Sequence, residues 1–307
     1  MAKDLWRFTK SKLSVLLKNP YINALRGVPL PTLTGNRAQQ EIARQLVQPH
    51  GALIGRIGAS EGKILRHYLR ERDGRQQGAS YPTDCRLEIK THSGFFYDTD
   101  EALDRFAKLY VDATKLMTMR AYWTPFDRDL VSLHRASCRL LDLDPFFTAQ
   151  PWSAALVGRR VTVVSPFSDS IQAQYAKREK LFARPVLPAF TLSTVTAPQT
   201  HCEQNVEGQD WFRNLDAMVA AVKAQQPDIA IIGAGAYGLP AAAALFRSGV
   251  SAVVMGGATQ LLFGIRGKRW ENDRAYARIM NEHWSRPLES EQPAGFRTLE
   301  IQGGAYW

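Results

Sequence analysis

The chain has little cysteine: three residues in 307, Cys85, Cys138 and Cys202, scattered and with no Cys-x-x-Cys pair. That excludes a disulfide framework and a cysteine-built zinc site, and ordinary reduced thiols fit a cytoplasmic protein. No signal-peptide pattern opens the sequence. Long uninterrupted apolar runs are missing as well. The stretch that comes nearest to a membrane span, residues 229–246, is broken by Gly233, Gly235, Gly238 and Pro240. Its strand-then-helix pattern belongs to a soluble core. Repeats and low-complexity linkers are absent, and the 45% hydrophobic content suffices for one large or two modest domains.

Acids are scarce at one end. Residues 1–72 carry thirteen Lys and Arg against Asp4, Glu41, Glu61 and Glu71, which nearly accounts for the formal net charge of +10. Such an imbalance suggests an anionic neighbour. Residues 2–18 set Leu5, Trp6, Phe8, Leu13 and Leu16 against Lys3, Arg7, Lys10, Lys12 and Lys18. A helix lying on an anionic membrane surface has this pattern, and so does one packed on its own domain. Asn19-Pro20 ends it. The expected organisation is a basic arm, 1–30, and one α/β domain, 31–307. No nucleic-acid partner is expected, because the basic residues lack interleaved aromatics.

The chain is organised around residues 228–270. A β-branched run, 228–232, enters Gly233-Ala-Gly235-Ala-Tyr237-Gly238, an Ala-rich helix and a second buried run, 251–255. This is a strand–turn–helix–strand unit of the length a parallel crossover needs. Its turn fits the Gly-x-Gly-x-x-Gly pattern that brings backbone N–H groups to a phosphate. A dinucleotide site would also place a carboxylate at the end of the second strand. Here that strand ends in Gly256-Gly257. The alternative is that the glycines only let helix pack closely on sheet.

Other elements follow the same alternation. A strand at 51–57 runs into a helix at 61–72, and Arg56, just inside the strand end, would be costly to bury without an anion. Helices are expected over 100–119, 127–141, 169–182, 210–224 and 271–282, and strands over 160–164 and within 186–195. Ser165-Pro-Phe-Ser168, at a helix N-terminus, is a candidate anion-facing loop. Gly94-Phe-Phe-Tyr97 either lines an acceptor site or covers the core. His134 with Cys138, and His201 with Cys202, are poor metal pairs. Arg266-Gly-Lys268-Arg269-Trp270 combines cations with an aromatic that could grip a diphosphate and stack on a ring. The whole predicts a mostly parallel sheet with helices on both faces.

The segment Arg56-Ile-Gly58-Ala59-Ser60-Glu61 resembles the Arg-(Ile/Phe)-Gly-Asp-Gly-Glu motif of bacterial GT-D-type glycosyltransferases. SPFSDSIQAQYAKREKLF, GAGAYGLP, GGATQLLFGIRGKRW and the closing YW resemble a branch found among polysaccharide-biosynthesis proteins. The resemblance covers most of 51–307. It implies a Rossmann-like GT-D fold and transfer of a sugar from a nucleotide-sugar donor to a glycan or lipid-linked acceptor in cell-surface glycan synthesis. The setting would be cytoplasmic, on the inner face of the membrane. Glu61 and Arg56 would serve the reacting end. Donor contacts would come from Gly58, Ser60, Ser165, Ser168, Gly233, Gly235, Tyr237, Gly238, Gly256, Gly257, Gln260, Arg266, Lys268 and Arg269. The motif's Asp falls on Ala59, so a divalent Mn or Mg site is poorly supported, since one carboxylate is a thin oxygen shell. An NAD(P)-dependent oxidoreductase and a non-catalytic nucleotide-sugar-binding protein are the alternatives.

Overall fold

The computed structural model describes residues 27–74, 78–133, 136–201, 206–293 and 306–307. The expected basic helix at 2–18, together with His134 and Cys202, lies outside them. Among the described residues seven strands form one sheet: β1 (Leu53–Gly55), β2 (Met119–Tyr122), β3 (Ser137–Arg139), β4 (Arg160–Ser165), β5 (Thr191–Thr196), β6 (Ile229–Ile232) and β7 (Ser251–Val254). Their spatial order is β3-β2-β1-β7-β6-β4-β5, and every pairing is parallel. Strands β1, β2, β6 and β7 are buried along their whole length. Parallel strands covered on both faces need the continuous apolar runs seen in the sequence.

Side chains alternate between two cores, as strand geometry requires. Leu53, Ala230, Ile232, Ala252 and Val254 enter one core, with the helices α2 (Ala59–Arg72), α4 (Asp100–Lys115), α6 (Trp211–Ala224) and α7 (Gly238–Phe246). Ile54, Val161, Ile229, Ile231 and Val253 enter the other, with α1 (Asn36–Leu46) and α5 (Ser168–Tyr175). The short helix α3 (Thr83–Glu88) precedes α4, and α8 (Thr259–Leu262), α9 (Lys268–Glu271) and α10 (Arg274–Ala277) follow β7. Connections stepping from the β5 side toward β3 use the first layer, and those stepping back use the second, as right-handed crossovers demand. The chain therefore leaves β1 and β6 toward one face and β4 and β7 toward the other. A crevice opens at the carboxyl ends of these strands, where open parallel sheets hold ligands.

Several expected elements differ. The helix expected over 127–141 is a 3-10 segment, Pro125–Leu133, followed by β3. Pairing of Arg120 with Ser137 and of Tyr122 with Arg139 overrides the helical spacing. The helix from Asp100 ends at Lys115, and Met119 begins β2. The helix expected at 169–182 stops at Tyr175. Just before that end, Gln174 turns its amide to the carbonyls of Gly264 and His283, both at 3.0 Å. Residues 271–282 carry only the end of α9 and the short α10, the latter capped by Asp273 accepting from Ala275 N at 2.9 Å. Phe95 is fully buried, with its ring 4.5 Å from Phe106 and 5.1 Å from Trp211; this loop covers the core. Among the described residues no helix is long and apolar enough to cross a membrane.

Candidate functional site

A cavity of about 240 Å³ opens at the carboxyl ends of the strands. Its walls come from the loops after β1, β2, β4, β5, β6 and β7, and from the segment 88–93.

The floor at β1 is built locally. Gly58 precedes α2, and Glu61 sits in that helix's first turn, where the dipole favours a carboxylate. Glu61 is 5% exposed. The Ser60 hydroxyl donates to Glu61 Oε2 at 3.1 Å. Ser60 and Ser93 hydroxyls are 2.6 Å apart; with the Ser60 hydrogen on Glu61, Ser93 is the donor in that pair. A Cβ at Gly58 would fall on the Glu61 carboxylate, so the motif's first glycine is what lets Glu61 fold back.

Arg56 lies across the neighbouring strand end. Its guanidinium packs on Gly256, whose φ is +61, reaches Met255 O at 3.5 Å and lies 4.9 Å from the Trp123 ring centre. Among the described residues no carboxylate comes within ion-pair distance of it. Trp123 is held from two sides. Its indole N–H donates to Ile57 O at 2.6 Å, and its backbone N–H donates to Asp127 at 2.9 Å. Asp127 is itself buried against Arg120, with both side chains 1% exposed. Beneath the site, the Tyr110 hydroxyl donates to Ala236 O at 2.8 Å. Burial, followed by the negative charge of Glu61, holds that phenol well above its usual pKa, with Arg56 opposing.

The structure brings Arg56, Gly58, Ser60, Glu61, Ser165, Gly233, Gly235, Gly256, Gly257, Gln260 and Arg269 to one cavity. Tyr237, Gly238, Ser168, Arg266 and Lys268 do not line it. Tyr237 stacks on Trp211 at 4.6 Å, and Gly238 backs onto Val254. At Gly233 and Gly235 protein fills the space that a side chain would take. A Cβ at Gly233 would meet Gly256 O and Thr259 Oγ1, both at 2.7 Å, and one at Gly235 would meet Ser93 O at 2.7 Å. Gly257 lies under Tyr306, where a Cβ would come within 2.5 Å of the ring. Close packing therefore accounts for the missing side chains, while the backbone of Gly233, Gly235, Gly256 and Gly257 lines the cavity.

The loop from Ser165 to Ser168 is not an open anion site either. The N-terminus of α5 is taken by Glu291, which accepts from Asp169 N at 2.8 Å, from Ser170 N at 3.1 Å and from the Ser170 hydroxyl. Trp270 is 6% exposed and packs edge-on to Tyr306 at 5.6 Å, so it is not available to stack on a ligand. Arg269 alone of the cationic segment reaches the cavity wall.

Among the lining residues not singled out as site residues by sequence are Gln199 and His201 after β5, Thr259 after β7, and Trp123 after β2. Burial lowers the pKa of the His201 imidazole, and its ring stacks on Trp307 at 5.6 Å. Strand-end position was the available signal for each of them. As for metal, among the described residues no group of three His, Cys, Asp or Glu side chains is placed to hold an ion. Glu88, the second carboxylate at the cavity, is paired with Lys63 at 2.5 Å. These donors do not fit a divalent cation.

No family model matches the chain, and no curated protein matches it. Two solved structures align over 73% of this chain and 77% of theirs. One is a selenomethionine-substituted structure of domain of unknown function 1792, at TM-score 0.42 and 11% identity. The other is described as showing that this highly conserved domain has a distinct glycosyltransferase fold, at TM-score 0.40 and 12% identity. Similarity of that size assigns no activity.

Proposed function

We propose that the protein is a nucleotide-sugar-dependent glycosyltransferase of GT-D type. The observation that carries this reading is the pair at the end of β1. Arg56, a cation with no described carboxylate partner, and Glu61, a buried carboxylate, meet the same cavity. Both stand in the segment that resembles the GT-D motif. In the reaction, the bond between the sugar's anomeric carbon and the phosphate oxygen breaks as the acceptor hydroxyl oxygen bonds to that carbon. Arg56 lies where it would offset the charge gathering on the departing phosphate. Glu61 accepts the acceptor's proton, while Ser60 and Ser93 hold the carboxylate in place. A cell-surface glycan acceptor carried on lipid, with residues 1–18 on the anionic inner face of the membrane, completes the proposal.

The test is binding and turnover with UDP-, GDP-, TDP- and CMP-sugars, with NAD and NADP alongside. One nucleotide sugar is expected to bind and release its nucleotide. Glu61→Gln should keep donor affinity and lose roughly 10²–10⁴-fold in rate, and Arg56→Gln should weaken donor binding. Binding of NAD or NADP alone refutes the proposal. A donor that binds wild type with no turnover for any acceptor would make the chain a binding protein. The Ala59 position favours that second reading.

A further inference from the structure

Besides Arg56, the cavity wall contains polar atoms that the protein leaves unused. Gln199 Oε1, His201 Nε2, Thr259 Oγ1 and Gln260 Oε1 are all buried without a hydrogen-bond partner, and all four residues line the cavity. Thr259 and Gln260 are each 1% exposed. Buried polar groups are almost always paired, because an unpaired one keeps its full desolvation penalty. Four on one cavity point to a ligand that pairs them.

Their chemistry restricts that ligand. The Gln199 amide donates to Glu291 O at 2.9 Å. The Gln260 amide donates to Ile265 O and Tyr306 O, both at 3.2 Å. These carbonyl partners assign the nitrogens, so the atoms left over are carbonyl oxygens, which only accept. Buried His201, its pKa lowered, is neutral near pH 7. The two amide oxygens are therefore obligate acceptors, the Thr259 hydroxyl and the neutral imidazole can also accept, and Arg269 is the cation on this side of the cavity. A phosphate brings only further acceptors to the two amide oxygens, whereas hydroxyls and ring N–H groups pair them. Along the sheet, β1 and β5 stand four strands apart, roughly 19 Å at the usual parallel spacing. That length accommodates an extended nucleotide sugar with its phosphates toward Arg56.

We propose that Gln199, His201, Thr259 and Gln260 form the nucleoside subsite, accepting hydrogen bonds from the ribose hydroxyls and base N–H groups of the donor. The proposal rests on the glycosyltransferase reading. Thr259 and Gln260 then take the part that a strand-end carboxylate plays in dinucleotide sites, just beyond the point where β7 ends without one.

Thr259→Val tests it cleanly, because the hydroxyl has no protein partner to lose. Calorimetry would compare UDP, GDP, TDP and CDP with pyrophosphate on wild type, Thr259→Val and Gln199→Met. A thermal melt at or above the wild-type midpoint for Thr259→Val confirms its fold. The expected result is about 5–10-fold weaker binding of the preferred nucleoside diphosphate in at least one variant, with pyrophosphate unchanged. Wild-type affinity in both variants overturns the subsite and leaves the transferase reading standing. Equal weakening of pyrophosphate also overturns it, since the wall would then be touching phosphate. If wild type binds none of the four nucleotides, the transferase reading falls and the subsite falls with it.

Discussion

Asp127→Ala should damage both the fold and the site, and the structure sets the size of the effect. Asp127 and Arg120 side chains are each 1% exposed and paired. The second carboxylate oxygen accepts from Trp123 N at 2.9 Å, Thr124 N at 2.8 Å and the Thr124 hydroxyl at 3.1 Å. Removing the carboxylate takes its counter-charge from a buried guanidinium and leaves two backbone N–H groups without their acceptor. Breaking a buried pair from one side costs about 3–5 kcal/mol, against a whole-protein stability on the order of 5–15 kcal/mol. Urea unfolding followed by tryptophan fluorescence would measure it. The double variant Arg120→Met/Asp127→Ala should be more stable than Asp127→Ala alone, because the buried charge is gone. Nucleotide affinity should fall in the single variant as well, since the same turn holds Trp123 beside Arg56. An Asp127→Ala protein within about 1 kcal/mol of wild type, or a double variant less stable than the single, refutes the reasoning.

Three further outcomes follow from other parts of the molecule. Gly58→Ala has an unstrained backbone (φ −66), but its methyl displaces the Glu61 carboxylate; turnover should fall at least tenfold while stability changes by about 1 kcal/mol or less, and retained turnover contradicts the placement of Glu61. His201 has a folded-state pKa below its ordinary 6.5, so the unfolded chain binds the proton more readily. The stability it contributes is complete above pH 6.5 and is lost as pH falls toward the lower folded value; His201→Gln should flatten that part of the stability profile, and an unchanged slope counts against it. Deleting residues 1–18 should abolish sedimentation with anionic vesicles at low salt and leave nucleotide binding intact; vesicle binding that survives the deletion removes the membrane role of the arm.

Legibility varied with how far apart the deciding residues lie. The runs at 160–164, 228–232 and 251–255 contain β4, β6 and β7 to within a residue at either end. Their β-branched, doubly buried character is a local property that needs no partner to be recognised. Strand β3 was hidden inside the helix expected over 127–141 and β2 was not recognised beyond the helix expected over 100–119, because three and four residues carry almost no period of their own, and pairing energy comes from neighbouring strands. Gly58 and Glu61 were legible as a pair because they share one helix start. Glu291 was not, since it reaches the N-terminus of α5 from 121 residues beyond Ser170.

The amino-acid sequence by itself determined the parallel α/β class, the strand ends where polar and glycine residues gather, and the placement of Arg56 and Glu61 at one of them. Each follows from contacts within a few residues. Tertiary structure alone decided which of those strand ends share a cavity, because strand order is set by packing across both faces of the sheet. It also decided that protein fills the space a side chain would take at Gly233 and Gly235, and that Gln199, His201, Thr259 and Gln260 carry buried atoms without partners. Whether a polar atom is satisfied depends on every group around it, and that is a property of the folded chain.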